Sequence, residues 1–156
     1  MKVHPDGTGA LKKRTPSHRP IPRWMDTKIH LVAANARTAI IFALSPGQAS
    51  DAVQGRELLA SIGPLPAPLP LLMDAAYEDN TTLQLGLDFG YIPVVPPRHN
   101  RLEPWQLDKV MYRKRNEIER LFRRLKGFRR IFSRFEKLDL ILLGFIHFAL
   151  LSLEYR

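Results

Sequence analysis

Glu119 stands in a cationic stretch, "YRKRNEIERLFRRLKGFRRIF", residues 112–132. A carboxylate in such a place can neutralise its neighbours or help to hold something bound. With about 100° per residue and Tyr112 at zero, Arg115 falls near about 300°, Glu119 near about 340° and Lys126 near about 320°. Arg123 and Arg130 extend this stripe, at about 20° and about 0°. Ile118, Leu121, Leu125, Phe128 and Phe132 gather between about 160° and about 240°. The polar stripe therefore runs along the edge of a core-facing side, where a cleft would open. Glu119 and Arg123 also have the favourable i,i+4 spacing of a helix ion pair, worth roughly 0.2–0.5 kcal/mol. The residues alone leave both readings open. Asp74, at the end of the apolar run "LLMD", is a turn or cap residue on the same terms.

These residues need elements to position them. "TKIHLVAA" (27–34) and "TAIIFALS" (38–45) read as strands joined by a tight turn at Asn35-Ala36-Arg37. Residues 50–63 read as a short helix, with Ser50 as N-cap and Gly63 at its end. A buried strand over 69–74 ends in Asp74. A helix over 80–89, capped by Asn80 and stopped by Gly90, leads to a strand at 91–95, where Pro93 argues for an edge position. Strand, helix and strand in this order make a βαβ-like unit. A loop leads to one long helix over about 108–135, kinked near Gly127, and a final apolar helix covers 138–154. Residues 1–24, broken by Pro5, Pro16, Pro20 and Pro22, read as a basic arm.

The chain has 156 residues and a net charge of +9, which favours an anionic partner, nucleic acid first. Residues 109–137 carry 12 of the 24 Lys and Arg against three Glu, so the charge is local. There is no cysteine, which excludes a disulfide framework and thiolate metal sites. The opening residues contain no apolar signal-peptide core.

The spacing Y-x2-R-x3-E-x6-K, from Tyr112 through Arg115 and Glu119 to Lys126, resembles the Tyr-Arg-Glu-Lys signature of insertion-sequence DDE transposases. So does the surrounding text, in the IS-five-like branch: "MKVHPDGTGALKK", "TKIH", "ALSPGQASDA", "MDAAYED", "VVPP", "HNRLEPW" and "RNEIERLFRRLKGFRRIFSRFEKLD" follow in that order. The resemblance implies an α/β, ribonuclease-H-like fold, a mixed sheet with flanking helices. It implies metal-dependent DNA cleavage and strand transfer by acidic residues that hold Mg2+ or Mn2+. Hard cations take oxygen ligands, and two of them can serve the attacking and leaving oxygens of a phosphodiester displacement. By motif, Asp74 matches the second acid and Glu119 the third, both as metal ligands. Tyr112, Arg115 and Lys126 match the remaining signature positions, with Arg123 and Arg130 beside them for DNA. Glu78 and Asp79 read as turn or surface residues.

In that family the first Asp lies on a strand upstream of the segment with which this sequence opens. Asp6, in the "HPDG" turn, and Asp26 do not match it, and "RWMD" stands where an RGG-like turn is usual. The expectation is a fold lacking its first strand, with residues 25–156 forming a partial catalytic domain. Such a chain would be inactive alone, either a truncated relic or the second half of a frameshifted transposase. Its partners would be transposon ends, target DNA and another transposase chain, in the cytoplasm at the bacterial nucleoid.

Two other readings compete. "LILLGFIHFALLSL" (140–153) is an apolar run, but shorter than the roughly 18–20 residues that span a bilayer. It reads as a core helix, with His147 a boundary residue, and His4, His30 and His99 lack a metal-ligand spacing. Alternatively, the arginine stripe serves a non-catalytic nucleic-acid-binding module with salt-sensitive affinity.

Overall fold

A computed structural model describes residues 27–132 and 138–155. The arm 1–24, Asp6 and Asp26 lie outside the described residues. Strands β1 (Thr27–Ala33) and β2 (Ala39–Pro46) form an antiparallel hairpin. Its turn is closed locally. The Asn35 side-chain oxygen accepts from the Arg37 and Thr38 amides, at 2.8 and 3.0 Å, as Asn does in turns. Helix α1 (Asp51–Ile62) follows, ending on Gly63 at φ +79°, a conformation glycine adopts without strain. Ser50 is its N-cap residue but makes no side-chain capping bond.

Strand β3 (Leu69–Leu72), helix α2 (Asn80–Asp88) and strand β4 (Tyr91–Val94) make the βαβ unit, with β3 parallel to β4. The cap of α2 is Asp79 and not Asn80. The Asp79 carboxylate accepts from the Thr82 amide at 2.9 Å and is also held by Arg56 at 3.2 Å. An aspartate one residue earlier satisfies the free helix amide, so the helix starts at Asn80 itself.

The single long helix is three. Helix α3 (Lys109–Arg113), α4 (Asn116–Lys126) and α5 (Arg129–Phe132) are separated at Lys114-Arg115 and at Gly127-Phe128. At both breaks the amides turn to the carbonyl three residues back: Arg115 to Tyr112, Ile118 to Arg115, Phe128 to Leu125. The chain tightens there while staying right-handed. Helix α6 (Asp139–Glu154) closes the described chain.

The hairpin is buried on both faces. Ile29, Leu31 and Ala33 meet Ile118, Leu121, Phe122 and Leu125 of α4 and Leu142, Ile146 and Ala149 of α6. Val32, Ile41 and Ala43 meet α1 and the βαβ unit, around Leu58, Leu59, Met73 and Tyr77. The period-two alternation of β1 makes this possible. Among the described residues the four strands lie in two separate pairs, not in one mixed sheet.

Candidate active site

Asp74 follows β3 by two residues and heads the short 3-10 turn Ala75–Tyr77, with no capping bond from its side chain. Glu119 lies in the first turn of α4. The fold brings them to one guanidinium. Arg115 donates from one terminal nitrogen to Glu119 Oε1 at 2.8 Å and from the other to Asp74 Oδ2 at 3.4 Å. Its Nε is buried without a hydrogen-bond partner. The guanidinium carbon lies 5.4 Å from the centre of the Tyr112 ring, a cation–π distance. Burial raises the Tyr112 phenol above its ordinary value, so its hydroxyl is a donor at neutral pH.

Four of the residues singled out in the sequence therefore meet: Asp74, Tyr112, Arg115 and Glu119. The tightened turn at Lys114-Arg115 places Arg115 between the carboxylates. Glu119 forms its i,i+4 ion pair with Arg115, one turn toward the N-terminus, at 2.8 Å, and Arg123 is exposed. A neighbour one turn toward the N-terminus is already fixed by Tyr112 and Asp74, which makes it the better partner. Lys126 is half-buried at the far end of α4, and Arg130 lies against the Phe145 ring at 4.8 Å.

Glu117 has a different job. Its Oε2 accepts the Ala36 amide at 3.1 Å, and Arg124 donates to the Ala36 carbonyl, so α4 clamps the tip of the hairpin. Arg120 steadies Glu117 at 2.6 Å. Glu117 and Glu119 also place negative charge at the positive end of the α4 dipole, with Arg123, Arg124 and Lys126 at the other. A cleft of about 720 Å³ opens between β1, β3 and the start of α4, and Lys114, Arg115 and Glu117 lie on its wall.

Asp74 and Glu119 offer hard oxygen donors from two elements, the kind that Mg2+ or Mn2+ takes. Mg2+ is commonly held by one or two carboxylates together with water and phosphate, so the pair fits such an ion. Among the described residues no group of three or more His, Asp or Glu gathers to hold a metal.

Glu78 is the residue that sequence reasoning missed. It is buried, not a surface residue, with 3% of its side chain exposed. Arg98 Nε lies 3.4 Å from it, and Arg101 makes a close ion pair with it. Arg101 also bonds Asn80 at 2.7 Å and covers the Trp105 ring at 4.5 Å. The one available signal was the pair of arginines in "RHNR", but nothing in the spacing ties them to Glu78.

A family model described as the transposase DDE domain matches residues 1–152. The chain belongs to the transposase DDE domain family. The chain is also 29% identical over 126 residues, covering 80% of this chain and 95% of the relative, to a protein of Brucella ovis assigned as the transposase for insertion sequence element IS6501. No solved structure matches it. The α/β arrangement of small sheets and helices fits a DDE transposase domain, and no helix among the described residues is long and apolar enough to cross a membrane.

Proposed function

We propose that this DDE transposase domain uses Asp74 and Glu119 to hold a divalent cation, Mg2+ or Mn2+, for cleavage and strand transfer of insertion-sequence DNA. The observation that carries the reading is the convergence of the two carboxylates on Arg115. When bound, such an ion stabilises charge on the oxygens of a phosphodiester displacement. Arg115 keeps the carboxylates in place. Tyr112 donates its hydroxyl toward a phosphate oxygen, and Arg123 and Lys126 of α4 and Arg130 of α5 carry positive charge for the backbone of transposon ends and target. The hairpin, the βαβ unit and the helices on either side are consistent with a ribonuclease-H-like fold of the IS-five-like branch. Its place is the bacterial cytoplasm, on the chromosome.

A second reading, a nucleic-acid-binding module without catalysis, has one observation in its favour: two carboxylates, not three, converge among the described residues. Mn2+ binding followed by electron paramagnetic resonance separates the two. The metal reading expects Glu119→Gln to weaken Mn2+ binding by about tenfold or more, since half the paired charge is lost. Unchanged Mn2+ binding together with tighter DNA binding would support the module instead.

A further inference from the structure

We propose that Arg98 is a phosphodiester-binding residue beside Asp74, aimed there by the buried carboxylate of Glu78. The inference rests on the reading above that this face meets DNA.

A buried carboxylate must be paired, because an uncompensated charge away from water is costly. One arginine suffices for that, and Arg101 provides it. Arg101 contacts Glu78 with one terminal nitrogen and Asn80 with the other, and its guanidinium carbon lies 4.5 Å from the centre of the Trp105 ring. Trp105 in turn donates to the Val95 carbonyl at 2.9 Å. These contacts fasten the loop after β4 onto the turn after β3.

Arg98 is a second cation on the same carboxylate, so the cluster keeps one positive charge in excess. Only its Nε is engaged, donating to the Ala75 carbonyl at 3.4 Å and lying 3.4 Å from Glu78 Oε2. Its two terminal amino groups have no hydrogen-bond partner among the described residues, and 49% of the side chain is exposed. Ala75 is the residue next to Asp74. An arginine held at Nε, half exposed and with no partner on its terminal nitrogens among the described residues, is a fork suited to the two oxygens of a phosphate. Had the second arginine served only to neutralise Glu78, its terminal nitrogens would be the natural donors to that carboxylate.

The test is fluorescence anisotropy of the full chain with a labelled 20-base-pair duplex (about 20, enough for one domain), in a salt series from about 50 to about 200 mM. For Arg98→Gln the slope of log affinity against log salt should fall by about 0.9, the value of one lost phosphate contact. The loss of affinity across the series then shrinks by about 3.5-fold, the fourfold salt change raised to that power. Arg98→Lys should keep the slope, because a lysine still neutralises a phosphate. Glu78→Gln separates aim from charge. Removing a negative charge near DNA should tighten binding if only the net field mattered, whereas lost positioning predicts weaker binding with a reduced slope. Circular dichroism tells whether Glu78→Gln is folded, and if it is not, the Arg98 pair alone decides. An unchanged slope in Arg98→Gln overturns the proposal, and a folded Glu78→Gln protein with tighter binding overturns the role of Glu78. Failure of the unsubstituted chain to bind duplex overturns both this inference and the DNA-facing reading beneath it.

Discussion

Arg115 makes two contacts that tie β3 to α4. It is the counter-charge for Asp74 and Glu119 together, with 17% of its side chain exposed. Arg115→Gln removes the cation that the two carboxylates share, and the expected loss in urea denaturation is about 1–2 kcal/mol, discounted for the partial exposure of the acids. Asp79 is a second residue whose worth can be stated. It caps α2 and accepts from Arg56 and from the Thr82 hydroxyl, so Asp79→Ala should cost about 1–2 kcal/mol on the same measurement. At this scale the sequence was informative where helical spacing governs. Tyr112, Arg115 and Glu119 lie within two turns of one another, so periodicity alone puts them together. Asp74 came with them through family resemblance, since no local pattern relates β3 to α4. Glu78 was misread because it sits in a polar turn beside Asp79 and Asn80, where exposed carboxylates are common. Its burial is created by a loop that has no periodicity to read.

Helices and strands were legible in kind and less so in extent. The long helix was expected as one piece because its apolar period persists through both breaks. A pair of amides that bond three residues back instead of four leaves the facing of later side chains nearly unchanged. Gly127 was readable as a break from its low helix propensity; Lys114-Arg115, both good helix formers, was not. The hairpin contains a titration that can be measured. His30 is fully buried, its Nε2 lies 2.7 Å from Ser45 Oγ, and its Nδ1 has no partner. Burial holds the imidazole below its ordinary value, with nearby Asp51 opposing the shift and Lys28 adding to it. The unfolded chain therefore takes the proton first as pH falls. The contribution is complete above the ordinary His value, about 6.5, and is lost progressively as pH drops through that value toward the folded one, at no more than about 1.4 kcal/mol per pH unit. Thermal unfolding at pH 5.0 and pH 7.5 (about one proton's span) should show a larger difference for the natural chain than for His30→Gln. In the βαβ unit, the buried Tyr77 hydroxyl has no hydrogen-bond partner. Tyr77→Phe should leave the melting temperature unchanged or raise it, because an unmet polar group is removed with little change in shape.

For the molecule as a whole, the hairpin separates two cores, one under α4 and α6 and one under α1 and the βαβ unit. The strand expected to be buried, β3, is exposed at Leu69 and Pro70, whereas the hairpin, whose burial was not read from its sequence, lies between the two cores. Which strands neighbour one another was not readable either, because pairing is a non-local choice that a pattern along one strand does not encode. The last helix illustrates how uneven its surface is: Ile146 is fully buried, whereas Phe148 is 67% exposed. Ile146→Ala should cost about 2–5 kcal/mol by opening a cavity, while Phe148→Ala should stay within about 0.5 kcal/mol, both by chemical denaturation. The clamp on Ala36 has a consequence in time. Its two bonds join residues 81 and 88 positions apart in the chain. During synthesis on the ribosome, at roughly 5–20 residues per second, the hairpin therefore leaves the exit tunnel several seconds before α4 can reach it. For that interval the nascent hairpin has its turn but neither its clamp nor the helical cover of one face. It is then a natural client for a chaperone that shields apolar strands.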